Sequence, residues 1–266
     1  MIDIEIGDWQ PLPKALRPGQ AVFAIGDVHG HAEQLKALQD HIRARICESY
    51  APERVTVVWL GDYIDRGPAP LEVLDLARRG LSIEGLCEVR LRGNHEQFLI
   101  DFLDTPLGSE GLLRSWLMNG GWDTISALSP GVGPDKPLVL AVALREALGA
   151  QRLAFLRHLA LLHREGDYVF AHAGINPQYG LEAQAPEDLI WIRDPFLNPE
   201  TWPHDVVVVH GHTPERPCVM AHRIGIDSGV FFTGQLTALE LAGEGLRFIT
   251  ASGPGAQGLD EARFFD

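Results

Sequence analysis

The sequence predicts an α/β fold, a layered sandwich of two packed β-sheets flanked by helices. Three observations carry that expectation. In the first hundred residues an apolar run of strand length ends three times at a glycine-bounded loop and leads into a helical pattern. After Met220 the pattern changes to short strands without intervening helices, "HRIGID", "QLTALEL" and "LRFIT". The chain has 266 residues, 45% hydrophobic and 22% charged, which is ordinary soluble globular composition and enough for one large α/β domain or at most two smaller ones. No linker or composition break divides it, so residues 1–266 are expected to form a single domain.

Taken in order, residues 1–20, with Pro11, Pro13 and Pro18, read as an extended lead-in. A first strand is expected over 21–25. In "HAEQLKALQDHIRARI" Leu35, Leu38, Ile42 and Ile46 recur at helical spacing, giving an amphipathic helix that packs back on a sheet. "RVTVVWLGDYIDRGPAPLEVLDLARRG" repeats the unit, with a helix that starts near Pro70 and is closed by basic residues and Gly80. "LCEVRLRGNHEQFLIDFL" repeats it again, with Gly-Asn-His-Glu expected in the loop. Residues 104–150 are less regular and rich in Gly and Pro around "NGGWDTISALSPGVGPDKP". A helical pattern over "QRLAFLRHLALLHR" precedes "DYVFAHAG" and "DVVVVHGHTP", two apolar strands that run into histidine-bearing loops. Residues 253–266 read as a flexible tail.

The formal charge of −14 argues against a general nucleic-acid binder and against an anionic membrane surface. An acidic protein that handles phosphate must supply positive charge locally, as arginine or metal. Cys47, Cys87 and Cys218 are odd in number and far apart, so they read as reduced, buried or incidental. No targeting sequence or membrane-span pattern is present, and the expectation is a cytoplasmic location.

Chemistry concentrates in the loops at the carboxyl ends of the predicted strands. In extended backbone, residues i and i+2 point to one side, so Asp27 and His29 of "GDVHG" can aim at one spot. Asp62, Asn94, His95, His172, His210 and His212 stand in the equivalent loops, where α/β sheets build their sites. Oxygen and imidazole ligands without thiolate suit manganese, iron or zinc in open, water-bearing sites. Spacing alone leaves either His210 or His212 as a ligand.

The motifs "GDVHG", "GDYIDRG", "GNHE", "HAG" and "GHT", in this order, closely resemble those of the PPP-type metallophosphoesterases, the Ser/Thr protein phosphatase superfamily. With "NGG" at 119–121, "LIWIRD" at 189–194 and "IDSG" at 226–229, the chain is most similar to the bacterial and bacteriophage lambda branch. The resemblance spans about residues 21–241 and implies a calcineurin-like metallophosphoesterase sandwich of two mixed β-sheets flanked by helices. It implies two divalent ions, manganese first and iron or zinc as alternatives. Asp27, His29 and Asp62 would hold one ion, with Asp62 bridging to a second held by Asn94, His172 and His212. A hydroxide held by the metal pair would attack phosphorus, His95 oriented by Asp65 would protonate the leaving oxygen, and Arg66 and Arg193 would hold phosphate oxygens. The Gly-His-Thr pattern selects His212 over His210 as the ligand, and His210 becomes a supporting or core residue.

The family includes phosphoprotein phosphatases and symmetrical dinucleoside tetraphosphate hydrolases. The complete "GDYIDRG" and the Glu of "GNHE" resemble the phosphatase branch, so the expected substrate is phosphoserine or phosphothreonine in proteins, with phosphotyrosine or a small phosphoester also within reach. Hydrolysis of diadenosine tetraphosphate is the alternative, and an inactive phosphoprotein-binding scaffold a third reading. A nuclease of the superfamily would show Gly-His-x-His where Pro214 stands. No regulatory partner is implied. Trp116 and Trp122 are expected in the core, and His31, His41, His158, His163, His204 and His222 in surface or capping roles.

Overall fold

The structure, a computed structural model, describes residues 2–243 and 245–253. Along the chain run β1 (Asp3–Ile6), β2 (Ala21–Ile25), α1 (Ala32–Ser49), β3 (Val55–Trp59), α2 (Pro70–Arg79), β4 (Cys87–Arg90) and α3 (Asn94–Asp104). Next come α4 (Glu110–Trp116), α5 (Trp122–Leu128), α6 (Pro137–Arg157), β5 (Leu162–Glu165), β6 (Tyr168–Ala171) and α7 (Pro186–Trp191). The last elements are β7 (Val207–His210), β8 (Cys218–Val219), β9 (Arg223–Gly225), α8 (Val230–Thr233), β10 (Gln235–Ala242) and β11 (Gly245–Ser252).

Six strands form one mixed sheet in the order β1-β11-β10-β2-β3-β4, and five form a second in the order β5-β6-β7-β9-β8. In the first, β2, β3 and β4 are parallel neighbours; in the second, β6, β7 and β9 are. The two-residue period of the buried strands divides their side chains between two cores. Phe23, Ile25, Val57 and Trp59 face the helices, packing with Leu35, Leu38, Ile42 and Ile46 of α1. Val22, Ala24 and Val58 face the other way and meet Phe170, Val207 and Val209 of the second sheet. Val169, Ala171 and Val208 then pack under Leu189 and Ile190 of α7. Helices, sheet, sheet and helix thus form successive layers. Each of the four fully buried α1 side chains contributes about 1.5–3 kcal/mol of burial.

Several sequence expectations need correction. The lead-in contains a strand, because β1 adds to the free edge of β11 with Ile4 opposite Ala251. The helical pattern over 151–164 is only half helix. α6 ends at Arg157, and Leu162–Glu165 instead pairs antiparallel with Tyr168–Ala171 across a turn at Gly166, whose φ is 61°. Apolar residues three apart in so short a window do not distinguish the two conformations. Asn94 and His95 are in the first turn of α3 rather than in a loop. The irregular stretch holds α4 and α5, joined through Leu117–Gly121, where Gly120 takes a φ of 96°. A single helical turn, α8, also separates β9 from β10. Residues 254–266 of the expected tail lie outside the described residues. Among the described residues no helix is long and apolar enough to cross a membrane, and all three cysteines are free.

Candidate metal and active site

The carboxyl ends of β2, β3 and β4 from one sheet, and of β6 and β7 from the other, converge. Asp27 and His29 follow β2, Asp62, Asp65 and Arg66 follow β3, and Asn94 and His95 open α3. His172 follows β6 and His212 follows β7. All are buried except Arg66, which is partly exposed. Six non-glycine residues have positive φ among the described residues, and five belong here: His29 (43°), Asp62 (49°), Asp65 (68°), Arg66 (62°) and His212 (65°). Each left-handed non-glycine residue costs about 1–3 kcal/mol unless its surroundings hold it. Here the surroundings do. The N–H groups of Val28 and His29 donate to the Asp62 carbonyl at 3.1 and 2.8 Å, and that of Gly30 donates to the Tyr63 carbonyl at 2.9 Å. Gly93 lies so close that a Cβ would sit 2.0 Å from Asp62 Oδ1.

Asp62 is the centre. His29 Nδ1 is 2.9 Å from the Ile64 carbonyl and His172 Nδ1 is 2.9 Å from the Leu60 carbonyl. A carbonyl only accepts, so each Nδ1 carries the proton and each Nε2 presents a lone pair. Those lone pairs lie 3.5 Å from Asp62 Oδ2 and 3.5 Å from Asp62 Oδ1, buried acceptors facing acceptors. Asp27 Oδ1 and His212 Nε2 are buried and have no hydrogen-bond partner among the described residues. Asn94 Oδ1 lies 3.0 Å from His172 Nε2 and 2.9 Å from His212 Nδ1. Cations would satisfy this array. His29, Asp62 and His95 form one group whose donor atoms lie within 4.8 Å of one another, and Asp62, His172 and His212 form a second. The donor set, imidazole and oxygen without thiolate, fits a pair of divalent ions sharing Asp62.

Asp27 borders the two groups through the backbone of His212. It is not in either tight group; its Oδ2 accepts the His212 N–H at 3.0 Å while Oδ1 stays free. His95 does join the first group, although the resemblance gives it the acid role.

Burial shapes the proton affinities. It lowers His29, His172 and His212 below the ordinary imidazole range, which keeps them neutral and able to ligate. Burial alone would raise Asp62, but His172, His95, His29 and Arg66 hold it below the usual carboxylate range. Burial also opposes charge on His95, yet Asp62 and Asp65 outweigh it and raise its affinity for a proton. Burial, then Asp227 and Asp62, push Asp27 well up, and burial pushes Asp227 up to about 6. Asp227, from the "IDSG" stretch, is therefore a site neighbour that the sequence motifs did not identify.

Asp65 Oδ2 accepts from His95 Nδ1 at 2.7 Å, which leaves His95 Nε2 facing Asp62 Oδ2 at 3.8 Å. The same Asp65 oxygen accepts the Trp116 indole N–H at 2.7 Å. Arg66 is held on three sides. Its Nη1 donates to His29 Nε2 at 2.9 Å, its Nε donates to the Asn119 carbonyl at 3.2 Å, and its guanidinium lies 4.6 Å from the Phe231 ring centre. The "NGG" turn supports this residue closely enough that a Cβ on Gly120 would lie 2.5 Å from Arg66 Cγ. Phe231 carried no sequence signal, being one aromatic in "GVFFTG". Arg193 is exposed, has no ion pair among the described residues, and is near enough to His212 to contribute to lowering its pKa.

His210 is buried beside Phe196, with Nε2 3.1 Å from Arg223 Nη1, and belongs to neither donor group. His31, expected in a surface or capping role, stands at the N-cap position of α1, is part-buried and donates from Nδ1 to the His29 carbonyl at 2.6 Å. Trp116 is fully buried as expected, whereas Trp122 is 52% exposed.

Glu96 is the residue of "GNHE" that resembles the phosphatase branch. In the structure it is fully buried, and its carboxylate accepts four backbone N–H groups. Oε2 takes those of Asp62 (2.9 Å) and Gly93 (2.9 Å), and Oε1 those of Tyr63 (2.8 Å) and Ile64 (3.3 Å). It binds the Asp62 loop to the start of α3 and touches no open space. Replacing Glu96 with Gln turns amide hydrogens toward N–H donors. The expected result is a loss of about 2–3 kcal/mol in urea unfolding, with weaker metal binding because the Asp62 loop loosens.

Comparison with known proteins agrees with this geometry. The calcineurin-like phosphoesterase pattern matches residues 21–238. The chain is 31% identical over 229 residues to serine/threonine-protein phosphatase 1 of Salmonella typhimurium, covering 81% of this chain and 89% of that protein. It is 33% identical over 162 residues to a symmetrical bis(5'-nucleosyl)-tetraphosphatase of Methylococcus capsulatus, covering 61% of this chain and 46% of that protein, about half its length. Among solved structures, the cold-active protein-tyrosine phosphatase of a psychrophilic Shewanella shares the fold with a TM-score of 0.54 and 19% identity, over 88% of this chain and 83% of that one. With the sheets, the converging loops and the match over residues 21–238 in agreement, the chain belongs to the calcineurin-like phosphoesterase family.

Proposed function

We propose that the protein is a metal-dependent phosphomonoesterase that hydrolyses phosphoserine and phosphothreonine in proteins. The observation that carries the choice of substrate is the extent of likeness. The phosphatase relative is matched over 89% of its length, whereas the tetraphosphatase of Methylococcus capsulatus is matched over 46%. Every ligand and acid position expected from the motifs is present, which argues against an inactive scaffold.

In this reading Asp27, His29 and Asp62 hold one divalent ion and Asp62, Asn94, His172 and His212 the other, manganese being the expected metal. When bound, the pair supplies an activated water and neutralises phosphoryl oxygens. Arg66 and Arg193 orient the phosphate by forked hydrogen bonds. As the bond between phosphorus and the ester oxygen breaks, His95 gives its Nε2 proton to the departing oxygen, with Asp65 keeping Nδ1 protonated and the ring aligned. Water supplies the oxygen gained by phosphate, and the products are the alcohol and inorganic phosphate.

A second reading, symmetrical hydrolysis of dinucleoside tetraphosphates, is supported by the 33% identity over 162 residues and uses the same site. One measurement separates them, the ratio of kcat/KM for a phosphothreonine peptide to that for diadenosine tetraphosphate on a single manganese-loaded preparation. The proposed function requires a ratio well above one. A ratio well below one assigns the site to the nucleotide.

A further inference from the structure

We propose that Trp116 is a positioning residue for the acid step. Its indole N–H fixes the Asp65 carboxylate so that one oxygen faces His95. Asp65 Oδ2 receives two donors, His95 Nδ1 and Trp116 Nε1, each at 2.7 Å. Among the described residues these are the carboxylate's only hydrogen-bond partners, since the buried Oδ1 has none. Without the indole, the carboxylate would be held by His95 alone, the ring it is supposed to aim.

The indole suits this task chemically. It is a donor only, so it cannot compete with Asp65 for the His95 proton. Trp116 is fully buried and packed against Phe102, with ring centres 5.8 Å apart, so the donor's direction is fixed by packing. The neighbouring turn is shaped to admit it. A Cβ on Gly121 would lie 2.5 Å from both Cδ1 and Nε1 of the indole, the edge that carries the N–H. The backbone of Asp65 is tied separately, its N–H donating to Thr124 Oγ1 at 2.9 Å. Trp116 and Thr124 flank the "NGG" turn, so that stretch supports Arg66 through Asn119 and Gly120 and the acid pair through Trp116 and Thr124.

The proposal rests on His95 being the acid, and the experiment separates the two claims. Trp116→Phe keeps an aromatic ring and deletes the donor. Turnover is compared on p-nitrophenyl phosphate, whose leaving group needs little protonation, and on a phosphoserine peptide, whose alkoxide needs it. His95→Asn is measured alongside, with metal content recorded for each protein. The expected result is a loss about 10-fold larger on the peptide than on p-nitrophenyl phosphate, with metal content unchanged and the same skew, larger, in His95→Asn. If His95→Asn is skewed and Trp116→Phe is not, the positioning role is overturned while the acid assignment stands. If His95→Asn shows no skew, the acid reading fails and the Trp116 role falls with it. Should Trp116→Phe not fold, Gly121→Ala displaces the same indole edge and must show the same skew, because any accompanying disturbance of Arg66 would slow both substrates alike.

Discussion

Replacing Asp62 with Asn is expected to abolish function more completely than any other single change. Its two oxygens face His29 and His172 separately, and it is the one residue common to both donor groups. The substitution removes the charge that three neighbouring imidazoles and one arginine surround, and it presents an amide N–H₂ to one of the lone-pair sets. Metal content measured on purified protein should fall toward zero, and kcat/KM on p-nitrophenyl phosphate by about a thousandfold or more. The fold should remain, since the loop is held through the Asp62 backbone by Glu96, His29 and Val28, and the His95 N–H that its Oδ1 accepts at 3.2 Å can still be accepted by the Asn carbonyl. Retention of two metals per chain with near-normal turnover would remove Asp62 from the centre of the site.

His95→Asn should behave in the opposite way with respect to metal. His95 is tied to Asp65 through Nδ1, and the second donor group does not include it. The expected outcome is a loss of about 10²–10³ in kcat on phosphoserine or alkyl phosphate substrates, a much smaller loss on p-nitrophenyl phosphate, and little change in metal content. A large loss of metal would instead make His95 a ligand, which its place in the first donor group would then explain. Equal losses on both substrates with metal retained would place its role in binding rather than in protonation.

The parallel strands and helices of the first hundred residues were legible because their apolar periods are long and their ends are marked by glycine and proline. β2 and α1 show this clearly. β1 was not legible: four residues with one alternation, "DIEI", become a strand only by pairing with an edge 243 to 249 residues away. β5 was not legible either, because its Leu162 continues the leucine spacing of the preceding helix. The convergence of Asp27, His29, Asp62, Asn94, His172 and His212 was legible because motif and strand end coincide. Phe231, Asp227 and Trp116 were not, since each acts through a contact between segments distant in sequence. Trp116 lies 51 residues from the carboxylate it binds. The backbone-binding role of Glu96 was not legible, because a residue's place in a motif does not say whether it faces substrate or backbone.

The convergence of strand ends from both sheets has a consequence for the molecule's cohesion. The first donor group lies wholly on the larger sheet and α3, whereas the second joins Asp62 to His172 and His212 of the smaller one. An ion held there would act as a rivet through the interface, adding its binding free energy to that of Val22, Ala24, Phe170 and Val209 between the sheets. Linkage runs in both directions. Chelation should lower the melting temperature, and trimming Val209 to Ala, deep in the interface, should weaken metal affinity without touching a ligand.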